Sequence, residues 1–227
     1  MKPGQYIARW FQQYFLGGFT PQDIFSVSRA ENPDVAFASD RFFGVPPDVD
    51  RWDAPRRLSA PSVFTGEPYL RQGHLADWQH VDLRIMRWSA LFIEYARKRA
   101  IPLYVHSAFR TEAEQAALIA RGVTRAPYPR SPHNIGCAVD IVHSVFHWDL
   151  TSREWQLLHV LGLSALDRIN STLPVSAKLE LTWGGSFKGL YDPAHWEITD
   201  FRSRIERLPL GLPIRSTPRA ILAKVKF

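Results

Sequence analysis

Cysteine is nearly absent: Cys137 stands alone, which excludes an intrachain disulfide and fits a chain that folds in a reducing compartment. Long apolar runs are absent too. Nothing approaches the run of roughly 18 apolar residues that a membrane span needs, so no stable membrane insertion is expected. The opening MKPGQYIARWFQQYFLGGFT carries Arg9, Gln12 and Gln13 inside its apolar pattern. It lacks the unbroken apolar core and small-residue cleavage site of a secretory leader, so the expectation is a protein made in the cytoplasm without a signal peptide. Residues 1–200 have no charge excess of either sign. The formal +6 arises between Phe201 and Phe227, where seven basic residues face Glu206 alone. A nucleic-acid binder would more often carry such charge on its folded body, and no nucleic-acid partner is expected. There is no internal repeat and no low-complexity segment.

The 227 residues, 45% hydrophobic and 22% charged, suffice for one domain with a true core and an added subdomain. The expected division is an N-terminal helix and irregular extension over 1–75, a domain carrying the chemistry over 76–203, and a basic tail over 204–227. Ile7, Trp10, Phe11, Tyr14 and Phe15 share one helical face, as in a helix docked by its aromatic side. From Ser28 to Gly73 the chain is rich in Pro, Asp, Arg and Gly and shows little periodicity. Val81, Ile85, Trp88, Phe92 and Tyr95 then fall at helical spacing. Thr111 with Glu114, and Thr151 with Glu154, are capping boxes that open two further helices. Strands are expected at 101–107, 138–143, 179–185 and 194–198. The order predicts an α+β domain built on a small antiparallel sheet with flanking helices.

The densest chemistry lies in SPHNIGCAVDIVH, residues 131–143. Pro132, Asn134 and Gly136 make a turn that can fold His133 back beside Asp140 on the following strand. An aspartate between Val139 and Ile141 is costly to bury unpaired, so a metal ion or a strong donor should lie near it. Imidazole plus carboxylate suits Zn²⁺, and DPAHWE (192–197) offers a third ligand in His195 and a free carboxylate in Asp192. A turn-capping histidine and an aspartate bonded to backbone amides would satisfy the same spacing. His74, His80, His106, His143, His147 and His159 are expected to be surface or structural residues, with His143 on the strand face opposite Asp140. Cys137 is expected to be a small packing residue.

Three motifs in order resemble the D-alanyl-D-alanine carboxypeptidase and L-alanyl-D-glutamate endopeptidase group of zinc peptidases, in its VanY-like, phage-endolysin branch. The pattern S-x-H-x-x-G-x-A-x-D is met by Ser131, His133, Gly136, Ala138 and Asp140. S-x-x-R-T is met by Ser107, Arg110 and Thr111, and W-G-G followed by D-x-x-H-aromatic-E by WGGSFKGLYDPAHWE. The resemblance spans about Asp77 to Ile198 and implies a hedgehog/D-Ala-D-Ala peptidase-like fold. It implies His133, Asp140 and His195 as ligands of one Zn²⁺, Asp192 as general base and Arg110 as the cation facing the scissile carbonyl. It gives Ser107, Ser131 and Glu197 supporting roles in binding substrate or orienting ligands. The substrate class implied is the peptide of bacterial peptidoglycan. Many carboxypeptidases of the group carry glutamate where this chain has Asp192, so the D-x-x-H form points to the endopeptidase branch. That branch, with no leader expected, suggests a bacteriophage or prophage protein, released by a holin-type partner or carried on the virion. The alternatives are a D-Ala-D-Ala carboxypeptidase of cell-wall turnover and a peptidoglycan-binding zinc domain that does not cut.

Overall fold

The computed structural model describes residues 53–207. The helix expected over 5–15 and nearly all of the basic tail lie outside the described residues. The sheet has four antiparallel strands in the order β1-β2-β4-β3. They are β1 (Leu103–Ser107), β2 (Ala138–His143), β3 (Leu181–Trp183) and β4 (His195–Ile198). All four fall inside the segments expected from sequence. The α+β architecture with flanking helices is the one observed.

Helices α1 (Glu67–Gln72), α2 (Leu83–Arg97), α3 (Glu112–Ala120), α4 (Ser152–Asn170) and α5 (Phe201–Glu206) surround the sheet. The periodic pattern around Val81 yields α2 only from Leu83, because the Asp82 carboxylate accepts from the Arg84 backbone N–H (2.9 Å) and caps the helix there. Both capping boxes form. Thr111 Oγ1 accepts from Glu114 N–H while the Glu114 carboxylate accepts from Thr111 N–H, and Thr151 with Glu154 repeats this at α4. Helix α1 was not legible: it has six residues, too few for a period, with Pro68 in its first turn. Tyr69 from it donates to the Leu103 carbonyl (3.0 Å), and Leu58 is fully buried. The segment 53–72 is therefore fastened to the domain, with Tyr69 on β1.

At the other end, Phe201 is buried, and Arg204 donates to Asp82 Oδ2 at 2.9 Å. The first turn of the basic segment thus belongs to the fold, because an arginine beside a buried, capping carboxylate is held there by charge. That contact and the neighbouring Arg84 pair outweigh the burial that would raise the Asp82 carboxyl, and they hold it below the usual carboxylate range.

One sheet face carries Val139 and Trp196, register partners on β2 and β4, and packs under α2 and α4. Trp196 lies 4.8 Å from Trp88, whose indole N–H donates to the Gly162 carbonyl at 2.8 Å. A methyl group on Gly162 would stand 2.8 Å from the Trp196 ring. Gly162→Ala is therefore expected to cost about 1–3 kcal/mol through overpacking, read as a fall in melting temperature. An unchanged melting temperature would mean that α4 sits farther from the sheet.

Candidate metal centre

The opposite sheet face carries the chemistry. The register sets Asp140 directly across from His195, and Ala138 across from Glu197. With alternation along each strand, Asp140, His195 and Glu197 share the face that α2 and α4 leave uncovered. His133 arrives from the 3-10 turn Pro132–Ile135, which Gly136 closes in the left-handed region at φ 67°. The Gly136 carbonyl accepts from Asp82 N–H (2.9 Å), tying this turn to the start of α2. A Cβ there would lie 1.8 Å from the His80 carbonyl oxygen, so the turn reaches the strand only with glycine at that position. Gly184 acts likewise below the third motif. Its hypothetical Cβ would meet the Asp192 carbonyl oxygen at 2.3 Å, and its carbonyl accepts from Asp192 N–H at 3.2 Å.

His133, Asp140 and His195 converge, with one donor atom from each lying within 4.8 Å of the others. His133 Nε2 is 3.3 Å from Asp140 Oδ1 and 3.3 Å from His195 Nδ1, and His195 Nδ1 is 2.9 Å from Asp140 Oδ1. Each imidazole has its other nitrogen engaged by an acceptor. His133 Nδ1 donates to the Ala108 carbonyl (2.7 Å), and His195 Nε2 donates to Glu197 Oε2 (3.1 Å). Those bonds orient both rings and turn the remaining nitrogen of each toward Asp140. A tetrahedral ion with bonds of about 2.0 Å needs donors about 3.3 Å apart; two of the three separations match, and the His195–Asp140 one, at 2.9 Å, is shorter. Two imidazoles and one carboxylate leave a fourth position for water, the pattern of a catalytic zinc site. The residues fit the metal.

The electrostatics point the same way. Burial alone would raise the Asp140 carboxyl, but the two histidines hold it well below the usual carboxylate range. Burial alone would lower His195, yet the Asp140 and Glu197 carboxylates outweigh it and push the imidazole up to about 10. The pocket thus favours positive charge at its centre. Arg110 stands at the edge, its Nη2 3.6 Å from Asp140 Oδ2 and donating to Ser107 Oγ (3.3 Å). Asp192 is half-buried, and its carboxyl is pushed above the usual range first by burial and then by the Asp140 charge.

Of the residues singled out by motif, His133, Asp140, His195, Glu197 and Arg110 are in direct contact within this cluster, whereas Trp183 and Trp196 pack with His159 away from it. Ser131 is buried at the entry of the turn and engages Asn134 Oδ1 through its backbone N–H (3.3 Å). Two supporting residues escaped the sequence reading. Gln115, fully buried, accepts from Arg110 Nη1 (3.2 Å) and donates to the Ala126 carbonyl (2.7 Å). Asn134, also fully buried, donates to the Arg110 carbonyl (2.9 Å). Their only sequence signal was position: Gln115 follows a cap by four residues, and Asn134 sits between ligand and glycine.

The remaining candidates stand apart from the cluster. His143 is fully buried on the opposite face, with Nε2 donating to the Leu58 carbonyl and Nδ1 accepting from Val145 and Phe146 N–H. His159 stacks on Trp183 at 4.1 Å, and burial drives it down to about 4. The buried Cys137 thiol is pushed up to about 12, first by burial, which leaves it inert as a nucleophile.

Residues 124–198 match the family model described as D-alanyl-D-alanine carboxypeptidase, a stretch that contains all three converging side chains. The match covers about a third of the chain. Among solved structures, the chain is similar to the L-Ala D-Glu endopeptidase ChiX of Serratia marcescens. That likeness has 22% identity and a TM-score of 0.44, over 56% of this chain and 86% of that one. The chain is also similar to the vancomycin-resistance D,D-pentapeptidase VanY from a VanB-type cassette, in complex with Zn(II). There the identity is 20% and the TM-score 0.33, over 59% of this chain and 81% of that one. No match is found among curated proteins.

Proposed function

We propose that the protein is a zinc-dependent peptidase that hydrolyses peptide bonds in the stem peptides of bacterial peptidoglycan. The observation that carries this reading is the convergence of His133, Asp140 and His195 with Arg110 and Asp192 beside them. His133, Asp140 and His195 would hold one zinc ion. When bound, zinc supplies Lewis acidity and brings the pKa of water down to about 7. The chain's own groups do the rest. Arg110, oriented by Ser107 and Gln115, presents a guanidinium where negative charge develops on the scissile carbonyl oxygen. Asp192, with its carboxyl raised, is suited to accept a proton from the attacking water and pass it to the leaving amine. Glu197 holds the His195 tautomer and is committed to that bond.

Within this reading the D-x-x-H form favours an endolysin-type endopeptidase of phage or prophage origin. It would be made in the cytoplasm and act on the wall after release by a holin-type partner or from the virion. The description of the matched family favours the second reading, a D-Ala-D-Ala carboxypeptidase. A zinc domain that binds peptidoglycan without cutting has no use for Arg110 and Asp192 together.

Asp192→Asn keeps the shape of the side chain but cannot take a proton. The zinc content should stay at the wild-type level while turnover of purified peptidoglycan falls about 10²–10⁴-fold. Full activity in this variant would remove Asp192 from the role of base.

A further inference from the structure

The β1–β2 pairing carries a bulge at the metal centre. Val105 pairs with Ile141 and Ser107 with Asp140, so His106 is the surplus residue, set beside Asp140. Its partly covered ring, lowered first by burial, senses the charges of Asp140 and Arg110. Edge-on to it, at 4.8 Å and 81°, stands Trp148, which is 46% exposed.

The loop that presents Trp148 is heavily braced. His147 is held in the left-handed region (φ 51°), with its N–H on the His143 carbonyl and its Nδ1 3.1 Å from the Tyr104 hydroxyl. Ser144 N–H donates to the Pro102 carbonyl, and Gln72 Nε2 donates to the Ser144 carbonyl. Arg57 lies over Phe146 at 4.2 Å and donates to the Asp149 carbonyl. So many contacts around a half-exposed indole describe a preorganised contact surface rather than a solvated loop.

We propose that Trp148 and His106 form a docking wall for a sugar ring of the substrate, next to the metal centre. The inference rests on the peptidoglycan reading above and deepens it. Stem peptides consist of alanine, glutamate and a diamino acid, which offer methyl groups and charges but no flat apolar face. The C–H face of a pyranose is the component of the wall polymer that matches an exposed indole. The imidazole beside it can exchange hydrogen bonds with ring hydroxyls. A sugar on this wall, where His106 directly precedes Ser107, the hydrogen-bond partner of Arg110, places the cut at the glycan-proximal end of the stem rather than at its D-alanine terminus.

The test uses the full zinc-loaded chain and two probes: a disaccharide-tetrapeptide and the same tetrapeptide without sugar. Binding is measured by calorimetry in the Asp192→Asn background, and cleavage in chains with Asp192 intact. The sugar-bearing probe should bind about tenfold tighter than the bare peptide. Trp148→Ala should erase that preference, Trp148→Phe should restore part of it, and binding of the bare peptide should not change. In cleavage the preference should appear in KM, with kcat on the bare peptide unaltered by Trp148→Ala. Equal binding of the two probes, or a preference that survives Trp148→Ala, overturns the wall. Absence of cleavage with a sugar preference that depends on Trp148 would instead overturn the peptidase reading and uphold the wall.

Discussion

His133→Ala loses stoichiometric zinc, loses activity to background, and melts well below the wild type. His133 supplies one of three donors, and it is the one whose ring is locked from behind by the Ala108 carbonyl. Without it the Asp140 carboxylate, buried in the sheet, keeps His195 and the more distant Arg110 as its charge partners among the described residues. Removing one partner from a buried charged cluster costs about 3 kcal/mol or more. In a domain of this size that is on the order of 10 °C in melting temperature. Metal content by atomic emission and melting by circular dichroism check both halves. A variant with full zinc and unchanged melting would show that the donors are wrongly assigned.

Gly136→Ala should be as damaging without touching any ligand. The added methyl would fall 1.8 Å from the His80 carbonyl oxygen and 2.8 Å from the Val81 Cα, and both are backbone that cannot swing away. The left-handed φ of 67° adds about 1 kcal/mol for a residue with a Cβ. The total should exceed about 4 kcal/mol, in the range reserved for severe core defects. Gly122→Ala is the internal control. Gly122 has almost the same φ, 69°, but nothing within 4 Å of its hypothetical Cβ. It should show the backbone cost alone, about 1 kcal/mol, in denaturant melts. Equal losses in the two variants would mean that the approach to His80 is not tight.

The strands of the sheet were legible because they depend on local pattern, and His133, Asp140 and His195 because each stands in a recognisable motif. β2 is an apolar run broken by one aspartate, and a carboxylate there demands a partner that the flanking turns can supply. Both capping boxes were legible for the same reason, as contacts over three residues. What sequence could not supply depends on register and on long-range contact. Nothing local says that β4 pairs with β2 so that His195 faces Asp140, or that His106 is the surplus residue of a bulge. Gln115 looks like any polar residue on a short helix until Arg110 is found against it, and Arg204 looks like part of a solvated tail until Asp82 is found beside it.

The most direct measurement is digestion of purified peptidoglycan by the full chain, with mass spectrometry of the new termini, in three conditions: as purified, with chelator, and with zinc restored. Zinc-dependent peptide hydrolysis predicts new amino termini in the first condition, none in the second, and their return in the third. Absence of new termini throughout, or cleavage that chelator leaves untouched, would contradict it.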